Sequence, residues 1–295
     1  MSDATLQLGT RGGALALAQA GPIAQKLGAG LVVVDGQGDA ATLALRTALL
    51  AGEVDLVVHA FKELPIAEAE GVVIAAVPKR GDARDALCAR DGLTLDDLPP
   101  GARVGTGSAR RRAQLLARRP DLEVVEIGDD IETRLARIGT DLDAVVLAAA
   151  GVDRFDRLDL VTEFIGIDGW PTTPGQGALA IEVRRGDERS VSKLDHSPSR
   201  LAAEAERGIL TRLGANSSAP VGAHALLDDG LLFLTARVYS LDGSAHLTSS
   251  HALYPEDALH PAADLADRVS AELLSAGATE LAPLAGDPSR GADAE

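Results

Sequence analysis

Short runs of β-branched and aliphatic residues alternate with alanine- and leucine-rich stretches through most of this chain, and that alternation restricts its fold more than any other feature. Residues 6–8 and 31–34 read as strands, and residues 54–59 as a buried strand of the kind found in parallel sheets. Residues 14–27 and 40–50 read as helices, the first opened by a glycine-rich turn. After a turn at Pro99-Pro100-Gly101 the pattern restarts, with strands at 102–105, 124–127 and 144–148 and helices at 108–118 and 131–137. Alternation of this kind predicts layered α/β structure. Residues 170–177 read as a hinge-like loop before a strand at 178–183, and residues 199–213 as a helix. From Gly222 onward, short strands such as 231–238 and a last helix at 262–275 predict a small α+β domain, and the polar tail at 286–295 reads as disordered.

Composition narrows the function classes. With only 2% aromatic residues, the cores of a 295-residue chain must be built from alanine, leucine and valine. A net charge of −16 argues against a nucleic-acid surface, which needs a basic field. The local exception is Arg110-Arg111-Arg112 with Arg118-Arg119, which could focus a small anion into a cleft. The segment Met1-Ser2-Asp3-Ala4-Thr5 has no basic and apolar leader pattern, and the longest apolar run, 144–152, is too short to span a bilayer, so a cytoplasmic protein without a membrane partner is expected. Cys88, the only cysteine, excludes an intramolecular disulfide and reads as a small buried hydrophobe. The six histidines lack metal-ligand spacing, so no metal is expected, and His59 reads as a satisfied core histidine ending a buried strand.

The most chemically pointed segment is Gly105-Thr106-Gly107-Ser108-Ala109-Arg110-Arg111, where a helix N-terminus and two guanidinium forks would make a carboxylate receptor. A dinucleotide site is set aside because Arg110 stands where Gly-x-Gly-x-x-Gly needs its third glycine. Lys62 and Glu63, read alone, are a solvated pair at a strand end.

Together with several other segments, this motif resembles the porphobilinogen deaminase (hydroxymethylbilane synthase) family, over almost the whole chain. Residues 9–19, GTRGGALALAQ, are similar to the family's Thr-Arg-x-Ser-x-Leu-Ala-x-x-Gln, keeping Arg11 and Gln19 but placing Gly13 at the serine. Residues 54–65, VDLVVHAFKELP, resemble its active-site strand and turn, with Glu63 where the family has aspartate and Ala60 where it has serine. Residues 128–135, GDDIETRL, keep Thr133 and Arg134 of a family segment but replace its leading arginine by Gly128 and add Asp129 and Asp130. Arg154 is retained after Ala150-Gly151, and residues 174–182, PGQGALAIE, match the hinge segment. Residues 213–223, LGANSSAPVGA, resemble the cofactor-attachment segment, but Ser217 occupies the place of the cysteine that carries a dipyrromethane primer. Relative to the family, a lid loop of roughly twenty residues is missing near residues 39–48.

The resemblance implies two α/β lobes of the periplasmic-binding type (type II), joined by hinge crossovers, plus a small α+β C-terminal domain. Their expected bounds are 1–78 with 176–196, 79–175, and 197–285. It implies catalysis by Glu63 with Lys62 beside it, the carboxylate stabilising the cationic azafulvene formed when porphobilinogen loses ammonia. It assigns pyrrole carboxylates to Arg11, Gln19, Thr106, Ser108, Arg110, Arg111, Thr133, Arg134 and Arg154. A serine oxygen is a far weaker nucleophile than a thiolate, so no covalently held dipyrromethane is expected at Ser217. The partner expected is a small pyrrole carboxylate, bound by a monomer. Three functions stay open: a diverged enzyme that joins pyrroles to an untethered acceptor, a non-catalytic binding or regulatory protein, and an ordinary hydroxymethylbilane synthase.

Overall fold

The computed structural model describes residues 5–36, 38–128, 130–216 and 218–284. Ser217, Asp129 and the tail at 286–295, all singled out above, lie outside the described residues. The chain divides into two compact units, one ending at Gly81 and taking back Gly177–Arg200, the other comprising Asp82–Gln176 and the chain from Leu201 onward.

The first unit starts with β1 (Gln7–Arg11), α1 (Ala14–Leu27), β2 (Gly30–Val34), α2 (Gly38–Leu50), β3 (Leu56–Ala60) and β4 (Val72–Ala76). The second opens with β5 (Asp85–Ala89), β6 (Arg103–Gly105), α3 (Ala109–Arg118), β7 (Glu123–Val125), α4 (Ile131–Ala136), β8 (Ala144–Ala148), α5 (Ala149–Arg154) and β9 (Glu163–Ile165). The chain then returns to the first unit as β10 (Leu179–Arg184), enters α6 (Ser197–Leu213), and ends with β11 (Val221–Asp228), β12 (Leu231–Tyr239), β13 (His246–Leu253), α7 (Pro261–Ser275) and α8 (Ala278–Leu281).

Each lobe is a five-stranded mixed sheet, ordered β2-β1-β3-β10-β4 in the first and β7-β6-β8-β5-β9 in the second. In the first, β1 runs parallel to β2 and β3, whereas β10 is antiparallel to β3 and β4. The two-residue period of β3 sorts its side chains between two covers. Leu56 and Val58 pack with Ala20, Ile23 and Ala24 of α1, while Val57 packs with Leu45, Ala48 and Leu49 of α2. Strand β8 is likewise buried on both faces, with Ala144 and Val146 in one cluster and Val145 and Leu147 in the other. This is why these strands read as unbroken apolar runs rather than as alternating ones.

The third sheet, β11-β12-β13, is antiparallel, is covered by α7, and belongs to the second compact unit. Two glycines permit its close approach to the lobe. A Cβ on Gly222 would lie 2.4 Å from the Pro171 carbonyl oxygen, and one on Gly243, whose φ is +73°, would lie 2.3 Å from that of Ala113. Strand β2 ends at Val34 and α2 begins at Gly38. Among the described residues no helix is long and apolar enough to cross a membrane.

Candidate active site

In the first unit the site residues gather at the C-terminal ends of the parallel pair β1 and β3, the edge at which open α/β sheets bind ligands. Strand β3 runs into a single 3-10 turn, Phe61–Glu63, held by the buried Phe61 ring, by Phe61 N–H donating to Ala178 O at 3.0 Å, and by Leu64 N–H donating to Phe61 O at 3.3 Å. This anchoring leaves Lys62 partly buried and Glu63 exposed at the rim. Arg11, the last residue of β1, donates through Nη2 to Glu63 Oε2. The expected carboxylate binder and the expected catalytic carboxylate are therefore paired with each other.

Beside them, Gly13 precedes α1 with φ +99°, a conformation strained for any residue that carries a Cβ, and no side chain caps the helix. Replacement of the family's serine thus goes with a backbone that suits glycine. Gln19 is buried on α1, on the face that also carries Ala20, Ile23 and Ala24.

In the second unit the N-terminus of α3 is built as the sequence suggests. Ser108 caps it, accepting from Arg111 N–H at 3.4 Å, and Thr106 Oγ1 accepts from Ser108 N–H at 3.2 Å. The arginines differ from expectation. Arg110 and Arg111 are 2% and 6% exposed, and both turn inward onto Asp85 of β5, which is fully buried. Arg110 Nη1 donates to Asp85 Oδ2 at 2.6 Å; Arg111 Nη2 and Nε donate to Oδ1 at 2.7 and 3.0 Å. Trp170 Nε1 and Gln176 Nε2 complete the shell at 2.8 and 2.9 Å. Burial alone would raise the Asp85 carboxyl, but the charges and hydrogen bonds of the two guanidiniums outweigh it and hold the group well below the usual carboxylate range. Burial draws the Arg110 guanidinium below its ordinary value, against the support of Asp85.

Gln114 extends the cluster, accepting from Arg110 Nη1 at 2.7 Å and donating to Tyr239 OH and Pro171 O at 2.9 Å each, so β12 is tied to the same network. Arg110 and Arg111, expected as carboxylate receptors, are here both engaged by an internal buried carboxylate. Thr133 is exposed in the first turn of α4, its N–H donating to the capping Asp130, while Arg134 and Arg154 are partly buried on α4 and α5.

Sequence reasoning missed Asp85, Gln114, Trp170 and Glu182 as organising residues. A signal was present: Asp85 and Glu182 are carboxylates inside otherwise apolar strands, and acids are almost never fully buried unless paired. Cys88 is buried in β5, and burial pushes its thiol up to about 11. His59 is buried, but its Nε2 lies 3.2 Å from Glu182 Oε2 without an aligned hydrogen bond, so it is not the satisfied core histidine expected. Among the described residues no group of His, Cys, Asp and Glu is placed to hold a metal ion.

Residues 6–192 match the family described as "Porphobilinogen deaminase, dipyromethane cofactor binding domain", and residues 200–275 match "Porphobilinogen deaminase, C-terminal domain". The chain is 50% identical to the porphobilinogen deaminase of Leifsonia xyli subsp. xyli, the match covering 95% of each.

This chain belongs to the porphobilinogen deaminase family.

It is also 43% identical to the porphobilinogen deaminase of Corynebacterium efficiens, over 94% of this chain and 99% of that one. Among solved structures, a periplasmic substrate-binding protein of an ABC transporter from Coxiella burnetii is similar at a TM-score of 0.40 and 16% identity, covering 69% of this chain and 97% of that one. The Leifsonia alignment runs over 313 positions although this chain has 295 residues, so it opens gaps in this chain. The domain named for the dipyrromethane cofactor is thus present. The chain's one thiol, Cys88, is sealed in the core of the second unit, and a serine stands at the position that resembles the family's attachment cysteine.

Proposed function

We propose that this chain deaminates porphobilinogen, or a closely related aminomethylpyrrole, and joins the resulting carbon to a pyrrole acceptor that no cysteine holds. The observation that carries this reading is the Arg11–Glu63 pair at the end of β1 and β3. A guanidinium and a carboxylate side by side complement a ligand that carries both a carboxylate and an aminomethyl cation. A ligand carboxylate would take the place of Glu63 on Arg11, leaving the Glu63 carboxylate beside the aminomethyl carbon.

In the reaction the carbon–nitrogen bond breaks, nitrogen leaves as ammonia, and the pyrrole nitrogen feeds the vacated carbon to form an azafulvenium. Glu63 places a fixed negative charge next to that developing cation. The α-carbon of the acceptor pyrrole then attacks, a carbon–carbon bond forms, and the acceptor's α-proton is lost. The carboxylate of Glu63 extends about one methylene beyond that of the family's aspartate, and a displacement of ~1 Å can cost about a hundredfold in rate. Slower turnover than in relatives with aspartate is expected for this chain, working as a monomer.

A second reading, ordinary hydroxymethylbilane synthase activity with the primer on Ser217 or held non-covalently, is favoured by the 50% identity to a curated porphobilinogen deaminase. Incubation with porphobilinogen, with ammonia assayed and the intact protein mass recorded in the same tube, separates the readings. Ammonia with an unchanged mass is the expected result. A mass increase by pyrrole units would establish a tethered chain, and no ammonia would leave a binding protein and overturn both.

A further inference from the structure

The first unit contains a buried charged cluster that the chemistry above does not use. Glu182 of β10 is 2% exposed and accepts a two-pronged contact from Arg46 of α2, Nη2 to Oε1 at 2.7 Å and Nε to Oε2 at 3.0 Å. His59 Nε2 lies 3.2 Å from Glu182 Oε2. Burial would raise the Glu182 carboxyl, but His59 and the Arg46 fork outweigh it and hold it at about 2.

The register of the sheet puts this cluster behind the active-site turn. Ala180 pairs with His59 and Glu182 with Val57, so Glu182 and His59 are diagonal neighbours on the face that α2 covers. On the other side of β3, Leu8 pairs with Leu56 and Gly9 with Val57. Continued by two residues, that register brings Arg11 beside His59 on the same face. His59 thus stands in a row between Glu182 and Arg11, the residue that holds Glu63, and it is followed directly by Ala60 and the turn Phe61–Glu63. The Arg46 fork is a polar contact from α2 onto β10, alongside Arg184 Nη1 donating to Leu49 O at 2.9 Å.

We propose that Arg46 and Glu182 are positioning residues: they fix His59, and through it the turn that presents Lys62 and Glu63. A planar guanidinium bound through two nitrogens fixes orientation as well as distance. Arg46→Met would leave the Glu182 carboxylate buried without its fork, and the strand end would shift to relieve it.

The inference rests on the proposed deaminase reading, and two measurements keep the failure of one distinct from the failure of the other. In steady-state ammonia release, Arg46→Met should lower kcat by about ten- to a hundredfold, with KM changed less than about threefold, and Arg46→Lys should recover about a third or more of the loss on a logarithmic scale. Amide hydrogen exchange at Phe61 and Leu64, whose N–H groups anchor the turn, should be about tenfold faster in Arg46→Met than in the unaltered chain, with Arg46→Lys between. Unchanged exchange at both amides overturns the positioning role whether or not the unaltered chain releases ammonia. Unchanged kcat in an active protein overturns it as well. Absence of ammonia from the unaltered chain, with exchange faster in Arg46→Met, overturns the deaminase reading alone. Should Arg46→Met fail to fold, Arg46→Lys and Glu182→Gln carry both measurements.

Discussion

The arginine–carboxylate pair at the rim of the first unit and the arginine–carboxylate cluster inside the second differ in what water can do to them. At the rim of the first unit, Arg11 and Glu63 have side chains 25% and 39% exposed. In the second unit, Arg110, Arg111 and Asp85 are sealed, with Asp85 at 0% exposure. The rim pair can be opened by a competing ion at little cost, because exposed pairs contribute about 0–1 kcal/mol. The sealed cluster cannot, since any group taken away leaves charge stranded where water does not reach. Residues that look interchangeable in sequence, arginines beside strand ends, thus divide into an exchangeable contact and a structural fixture.

The largest expected effect comes from breaking the sealed cluster. Asp85→Ala leaves two buried guanidiniums facing each other and should destabilise the protein by about 3–5 kcal/mol in chemical denaturation, with a large fall in Tm. A change below about 1 kcal/mol would mean the arginines can reach solvent. Acid titration gives the next largest effect. The folded Glu182 carboxyl is depressed from 4.5 to about 2, so its contribution is present above pH 4.5 and is lost as pH falls towards 2. The loss is on the order of 3 kcal/mol, and Asp85 adds to it in the same direction. Glu182→Gln should flatten that limb of a stability–pH curve.

A smaller cost is expected at the turn into α3. There Gly107→Ala would drive a Cβ to within 2.4 Å of the Ile127 carbonyl oxygen, costing about 1–3 kcal/mol, readable as a lower denaturation midpoint with an unchanged slope. The smallest effect on stability is at the rim. Glu63→Gln should move the unfolding free energy by less than about 0.5 kcal/mol while lowering ammonia release by about a hundredfold or more. Equal loss of stability and activity would make Glu63 part of the scaffold instead.

The same contrast explains what was legible in the sequence. Helix α1 spans Ala14–Leu27 as read, because glycines stand outside both ends, Gly13 before it and Gly28 as a left-handed cap after it. Strand β3 starts two residues later than the apolar run suggested: Val54 is buried, but Asp55 N–H donates to Gln7 O outside the ladder of paired residues. The rim residues Arg11, Lys62 and Glu63 could be singled out in the sequence because the motifs that resemble the family's are local. The sealed cluster was not, because Asp85 and Arg110 are 25 positions apart and only the fold makes them neighbours. A guanidinium beside a helix N-terminus looks the same in sequence whether a ligand or an internal acid awaits it. Arg46 was invisible for a similar reason, since its partner Glu182 lies 136 positions away.

The position of Cys88 has a practical consequence. With its sulfur sealed in β5 and its thiol raised to about 11, the native protein should be silent to maleimides, iodoacetamide and disulfide reagents, and insensitive to mild oxidants. Any thiol introduced elsewhere would then be uniquely addressable. Ser217→Cys would place a sulfur at the position resembling the family's attachment site in a background without a competing accessible thiol, so that a thiol-directed fluorophore or spin label appearing on the chain could be assigned to one atom.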